Sequence, residues 1–220
     1  MQFRWRLSLA LLTIGTMIPR AYGAATLTTL FSFNGTNGAI PEASLVQGAD
    51  GNLYGTTIGG GTNGVPYGRD GTVFRISTNG AFSTLAFLDR TSASSPQAGL
   101  VQGTDGDFYG TTHHGGPRDW GAAFRISPGG EFWTFASFQW PDAEHANGLV
   151  EGAPGEFFGT AYYGGTNGGH GSVFRISSNG IVTLLAGFNG TNGAHPQAPR
   201  VAQREIILAR DPFEWPARKP

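Results

Sequence analysis

The chain has 220 residues, 36 of them glycine and only 13% charged, with a formal net charge of −1. Interior helical glycine costs about 1 kcal/mol relative to alanine, which excludes a mainly helical protein, and no third-residue glycine period points to collagen. The 39% hydrophobic and 12% aromatic content is enough for a packed core and argues against disorder, and the absence of cysteine removes disulfides, thiolate metal sites and redox pairs.

The first 23 residues read as a secretory signal. Arg4 and Arg6 make a positive start, Leu7 to Ile18 is mostly apolar, and Pro19 precedes Ala21-Tyr22-Gly23, which places small residues where a signal peptidase reads. Cleavage after Gly23 leaves Ala24 first and predicts a secreted or cell-surface protein. The apolar run is shorter than the ~20 residues that span a bilayer, so no membrane span is expected after cleavage.

Residues 24–199 repeat themselves. PEASLVQGADGNLYGTT and GTVFRISTNGAFSTLAFL (41–88) are followed by PQAGLVQGTDGDFYGTT and GAAFRISPGGEFWTFASF (96–138). ANGLVEGAPGEFFGTA and GSVFRISSNGIVTLLAGF (146–188) come next, and a fourth unit starts at 189–199. Phe74, Phe124 and Phe174 stand 50 apart, the period of propeller-type arrays. Each unit offers four short strands. In the first these are Ser44–Gly48, Asn52–Thr57, Thr72–Ser77 and Ala81–Leu88, with tight turns at Asp50-Gly51 and Asn79-Gly80.

In the third strand Phe74 and Ile76 share one face and Val73 and Arg75 the other. In the fourth, positions 27, 82, 132 and 182 and positions 30, 85, 135 and 185 are all apolar. Both faces of each sheet are therefore to be covered. The predicted fold is all-β, a propeller-like array of about three four-stranded antiparallel blades, incomplete or open. Thr26–Phe33 is expected as an extra fourth strand, and the open sheet edges as a route to oligomers.

Two meander turns fall at one end of each blade, so the loops 58–71, 113–121 and 162–171 share the other end with the inter-unit loops. That end collects His113, His114, Trp120, Trp140, Tyr162, Tyr163 and His170, an aromatic, polar surface suited to a carbohydrate or a protein segment. His170 occupies the slot held by Asp70 and Trp120, while His145 and His195 lie in the long loops between units. The enzymatic alternative, a glycan hydrolase or lyase, needs carboxylates, or a histidine with a carboxylate, to converge among Asp119, Asp142 and Glu144. Arg75, Arg125 and Arg175 recur in every unit and are expected to bind carboxylates or carbonyls in the seams between blades.

No HExxH, nucleophile elbow, Walker loop or dinucleotide fingerprint occurs, so no catalytic, cofactor or metal residue is assigned. Asp105-Gly106-Asp107 reads as turn chemistry rather than a calcium loop, and the Asn34 and Asn189 sequons likewise as turns. Residues 24–199 carry six arginines, no lysine and twelve acidic residues, without the basic footprint that nucleic acid requires.

The recurring LVxGxDGxxYGTT…GG…VFRISxNG resembles the glycine-rich tandem repeat of the "choice-of-anchor" surface proteins, the GloVer repeat, over about residues 26–198. The resemblance implies an exported propeller-like protein and carries over no catalytic residue. At residues 200–220 the repeat stops in mid-unit. Glycine disappears after Gly193 and the charge turns from −6 over 24–199 to +2 over 200–220, the pattern of an out-of-frame tail or a fragment without independent function. A divergent cap is the alternative.

Overall fold

The structure is a computed structural model that describes residues 28–61, 70–166 and 168–197. The expected signal segment, the non-repeat tail and residues 62–69 of the first long loop lie outside the described residues.

Among the described residues twelve strands form three four-stranded antiparallel sheets, each a sequential meander. The first holds β1 (Val46–Gln47), β2 (Leu53–Thr57), β3 (Thr72–Ile76) and β4 (Phe82–Phe87). The second holds β5 (Val101–Gln102), β6 (Phe108–Thr111), β7 (Ala122–Ile126) and β8 (Phe132–Ser137). The third holds β9 (Glu144–Glu151), β10 (Glu156–Tyr163), β11 (Ser172–Ser177) and β12 (Val182–Gly187). The repeat units and the sheets coincide, and the strands are mostly a residue or two shorter than their sequence patterns.

The motif residues have identifiable physical jobs. In the Tyr-Gly-Thr of strand two the glycine sits opposite the strand-three phenylalanine, as in the pairs Gly55↔Phe74, Gly110↔Phe124 and Gly159↔Phe174. A Cβ on Gly55, Gly110 or Gly159 would lie 2.7, 2.5 or 2.6 Å from that ring, so the phenylalanine can cross its own sheet only over a glycine. Strand four carries a bulge at the same place in every unit. Val73 pairs with Ala86 but Phe74 with Thr84, and the same step recurs at Ala123/Phe124 and Val173/Phe174. In the first two units the extra residue, Leu85 or Phe135, and the alanine after it then both pack against the following unit.

Successive sheets pack face to face. The first seam joins Tyr54, Val73 and Leu88 to Leu100, Phe108, Phe124 and Ile126. The second repeats it with Tyr109, Ala123 and Phe138 against Leu149, Phe157, Phe174 and Ile176. In each, a strand-two tyrosine lies on the next unit's aromatic: Tyr54 on Phe108 at 3.9 Å and Tyr109 on Phe157 at 4.2 Å between centroids. Burial of a ring of that size is worth about 1.5–3 kcal/mol. The tyrosine hydroxyl escapes the apolar seam by donating to the carboxylate four residues earlier, Asp50 at 2.8 Å and Asp105 at 2.7 Å. In the third unit both partners are replaced, by Phe158 and Pro154. Thr56 and Thr111 tie the seams by donating to the carbonyls of Ala98 and Ala146.

Two expectations are corrected. Residues 28–33 lie where the fourth strand of a preceding blade would lie, but they form no strand, because no third strand stands beside them to complete a ladder. Two of the repeated arginines, Arg125 and Arg175, do not thread the seams. Arg125 binds Asp107 and Arg175 binds Glu156 across the strand-two/strand-three hairpin of their own blade, and both guanidinium groups stay partly exposed. In the second unit Tyr109, directly opposite Arg125 on strand two, already fills the seam on that side of the sheet.

Candidate functional site

The loops between units are clamped onto the preceding blade by one recurrent device. Ile40, Ser95, His145 and His195 occupy equivalent positions, and all four adopt a positive φ, at 60°, 56°, 54° and 49°. Non-glycine residues enter that region rarely, and such conformations collect at functional sites. The backbone N–H of Ser95, His145 and His195 donates to the carbonyl of Asp70, Trp120 and His170 respectively. Each of these residues thereby sits beside the end of strand two of the unit before it.

In the first unit that strand end offers only Ile58 and Gly59. In the second it offers His113 and His114, and in the third Tyr162 and Tyr163. The imidazole of His145 therefore stacks on His113, at 5.1 Å and 4° between planes, and meets His114 edge-on at 5.2 Å. On its other side it contacts Tyr163 at 5.7 Å. Tyr163 in turn meets His195 at 5.4 Å, and His195 stacks on Tyr162 at 4.6 Å and approaches His170 at 5.9 Å. Seven rings from two units thus make one continuous band across the loop end of the second and third blades.

Five of the seven expected ligand-face residues belong to this band: His113, His114, Tyr162, Tyr163 and His170. Trp140 extends its edge, since its ring lies against Gly169 and is 48% exposed. Trp120 does not join; its ring is taken by the Arg118 guanidinium at 5.3 Å. His145 and His195, which link the two halves, were not singled out from sequence. Their signal was the shared repeat position with Ile40 and Ser95.

Burial and crowding hold the inner imidazoles neutral. Desolvation, with repulsion from His145 and His114, pushes His113 down to about 4, against a smaller opposing hydrogen bond with Asn147. Desolvation likewise lowers His145, with His114 adding to it and Asp119 opposing. His195 is oriented by a contact of 3.1 Å between its Nδ1 and the Tyr162 carbonyl. At neutral pH His113 and His145 are therefore uncharged, and Tyr163 stands 38% exposed at the centre of the band.

Of the three carboxylates named for the enzymatic reading, only Asp119 meets a histidine. Its Oδ2 lies 3.4 Å from His114 Nδ1, out of line for a hydrogen bond, while Oδ1 accepts the Gly115 N–H at 2.8 Å. That bond is the main cause of its lowered pKa. Asp142 and Glu144 form no ion pair or side-chain hydrogen bond among the described residues, and burial raises Glu144. No group of three His, Asp or Glu side chains among the described residues is arranged to hold a metal ion. No helix among them is long and apolar enough to cross a membrane.

No curated protein matches the sequence. Solved structures with similar backbones include the extracellular domain assigned to the hybrid two component system BT3049 from B. thetaiotaomicron, at 10% identity and a TM-score of 0.46, covering 72% of this chain and 18% of that one. Another is XC5397 from Xanthomonas campestris, a gluconolactonase, at 17% identity and a TM-score of 0.45, covering 70% of this chain and 48% of that one. The chain therefore spans less than half the length of either. The profile of the Gloeobacter/Verrucomicrobia repeat matches residues 63–206, well over half of the sequence. The chain belongs to the Gloeobacter/Verrucomicrobia repeat family.

Proposed function

We propose that this is an exported member of the family, of the choice-of-anchor surface type, which acts outside the cell as a binding module. Its ligand face is the ring band at the loop end of the second and third blades, and its ligand is a carbohydrate chain. The single observation behind the reading is the unbroken run from His113 through His145, Tyr163 and His195 to His170. It breaks the repeat symmetry, since the first unit has no ring at Ile58, Gly59 or Asp70. Packing devices recur in every unit, as the Tyr–Phe stack and the Gly–Phe pair do at both seams, whereas a ligand site need not. Flat aromatic rings for the apolar faces of sugar rings, edged by hydroxyl and imidazole groups for their hydroxyls, are the lining such ligands use.

The test is affinity electrophoresis against a panel of soluble polysaccharides, with Tyr163→Ala and Trp140→Ala beside the unaltered chain. Both residues are exposed, so the variants should keep the β-sheet circular dichroism. The expected result is retardation by at least one polysaccharide, weakened tenfold or more in both variants. Retardation by none, or equal retardation of all three proteins, would overturn the reading.

A further inference from the structure

The two ends of the array carry the same element. Residues 27–43 read LTTLFSFNGTNGAIPEA and residues 182–198 read VTLLAGFNGTNGAHPQA, identical at 11 of 17 positions. The likeness extends to atomic detail. Asn34 Oδ1 accepts from the N–H and hydroxyl of Thr36 and the N–H of Asn37, while Asn37 Oδ1 accepts the Asn34 N–H. Asn189, Thr191 and Asn192 repeat the pattern.

One copy of this element precedes the first blade and half covers its outer face. Phe31 stacks on Phe82 at 3.8 Å and Phe33 meets Phe74 at 5.1 Å. The Leu30 carbonyl lies by Gly80 as those of Leu85 and Phe135 lie by Gly130 and Gly180. Yet residues 28–33 make no backbone–backbone hydrogen bond, and beside them an apolar groove of about 400 Å³ stays unfilled, lined by Leu45, Phe74, Ile76 and Phe82 among others. Leu45 is 48% exposed there, whereas its equivalents Leu100 and Leu149 are 8% and 7% exposed under the tyrosine and valine of a preceding blade.

The other copy ends the third blade, on whose outer face no further sheet packs among the described residues. Phe158 and Val150 stand where Tyr54 and Val46 fill a seam, Leu185 is 50% exposed, and Phe188 is the equivalent of Phe33.

We propose that the groove on the first blade receives the third blade of a second copy of this chain, head to tail. The incoming β12 and residues 188–198 take the place of residues 27–43, Phe188 replacing Phe33 and Leu185 replacing Leu30, while Phe158 and Val150 fill the groove. The displaced segment is held by ring contacts over residues 28–33 and by backbone bonds of Gly35, Ala39 and Ile40 with Gly61, Gly59 and Ile58. The equivalent Gly190, Ala194 and His195 of the incoming copy can replace these bonds one for one, and this exchange sets the affinity. The two internal seams define the geometry, and the two sides are different surfaces, so the contact is heterologous and can propagate.

Sedimentation velocity tests this on the chain from residue 24 and on one beginning at Asn34, which lacks the ring-bearing half of the competing segment. Both should associate as concentration rises, the shorter at least tenfold more tightly. Leu45→Arg and Leu185→Arg, at exposed positions that leave folding intact, should each abolish association alone. Mixed one to one they should form a dimer and nothing larger, because each supplies the surface the other lacks. If neither chain associates, if the arginine variants associate as the parent does, or if the mixture stays monomeric, the proposal is wrong. Circular dichroism of the Asn34 chain guards against misfolding, and the longer chain with its two variants carries the test without it.

Discussion

Replacing His113 with glutamine removes the most perturbed imidazole of the band while keeping a side chain that can hydrogen-bond with Asn147. The ring's pKa falls from 6.5 to about 4, chiefly through desolvation and then through His145 and His114. At about 1.4 kcal/mol per pH unit, and allowing for water that reaches a half-buried ring, this is worth on the order of 2 kcal/mol. The sign follows from proton binding. Between pH 6.5 and 4 the unfolded chain takes up a proton that the folded chain refuses, so stability is complete above 6.5 and drains away as pH falls toward 4. For a protein of this size 1 kcal/mol moves the melting temperature by about 2–4 °C. Thermal unfolding followed by circular dichroism should therefore show the parent losing about 4–8 °C more than His113→Gln between pH 7 and pH 4.5. His145, also lowered, remains in the variant and keeps part of the acid sensitivity. Equal losses in the two proteins would refute the claim that His113 is held neutral by its surroundings.

Other substitutions probe the seams and the sheets. Gly110→Ala places a Cβ 2.5 Å from the Phe124 ring and should cost about 1–3 kcal/mol by overpacking, read as a lower urea midpoint. Tyr109→Phe strips the hydroxyl that Asp105 accepts at 2.7 Å and should cost about 1 kcal/mol. The same change is already natural at Phe158, so Asp105→Pro added to Tyr109→Phe should cost less than the two singles together in a double-mutant cycle. Arg125→Gln breaks a partly exposed pair with Asp107 and should change stability by less than about 1 kcal/mol.

The fold was legible because the repeat is written in physics that acts locally. Asp50-Gly51 and Asn79-Gly80 announce turns, and the parity of Phe74 and Ile76 against Val73 assigns the faces, as the two seams bear out. The strand-four bulge was not legible, since Leu85 and Ala86 read as simple alternation and only the ladder reveals that both face the next blade. The arginines were misplaced because their spacing does not show that Asp107 and Glu156 stand within reach on the neighbouring strand. At the site, His113, His114, Tyr162, Tyr163 and His170 were reached by topology, which places all the strand-two/strand-three loops at one end. His145 and His195 were not, because their inclusion depends on a left-handed backbone that histidine seldom adopts and that no local pattern signals. Trp120 fell to the same limit, as Arg118, two residues before it, claims its ring.

The central claim is that five imidazoles and two phenols form one connected band, with its inner rings deprived of water. Nuclear magnetic resonance of the histidine side chains, titrated from pH 8 to pH 4, measures this directly. The account predicts that the His113 resonance stays neutral until about pH 4 and that His145 titrates below 6.5. It also predicts ring-to-ring Overhauser contacts linking His113 to His145 and Tyr162 to His195. His113 and His145 both titrating near 6.5, with no contact between those rings, would contradict it.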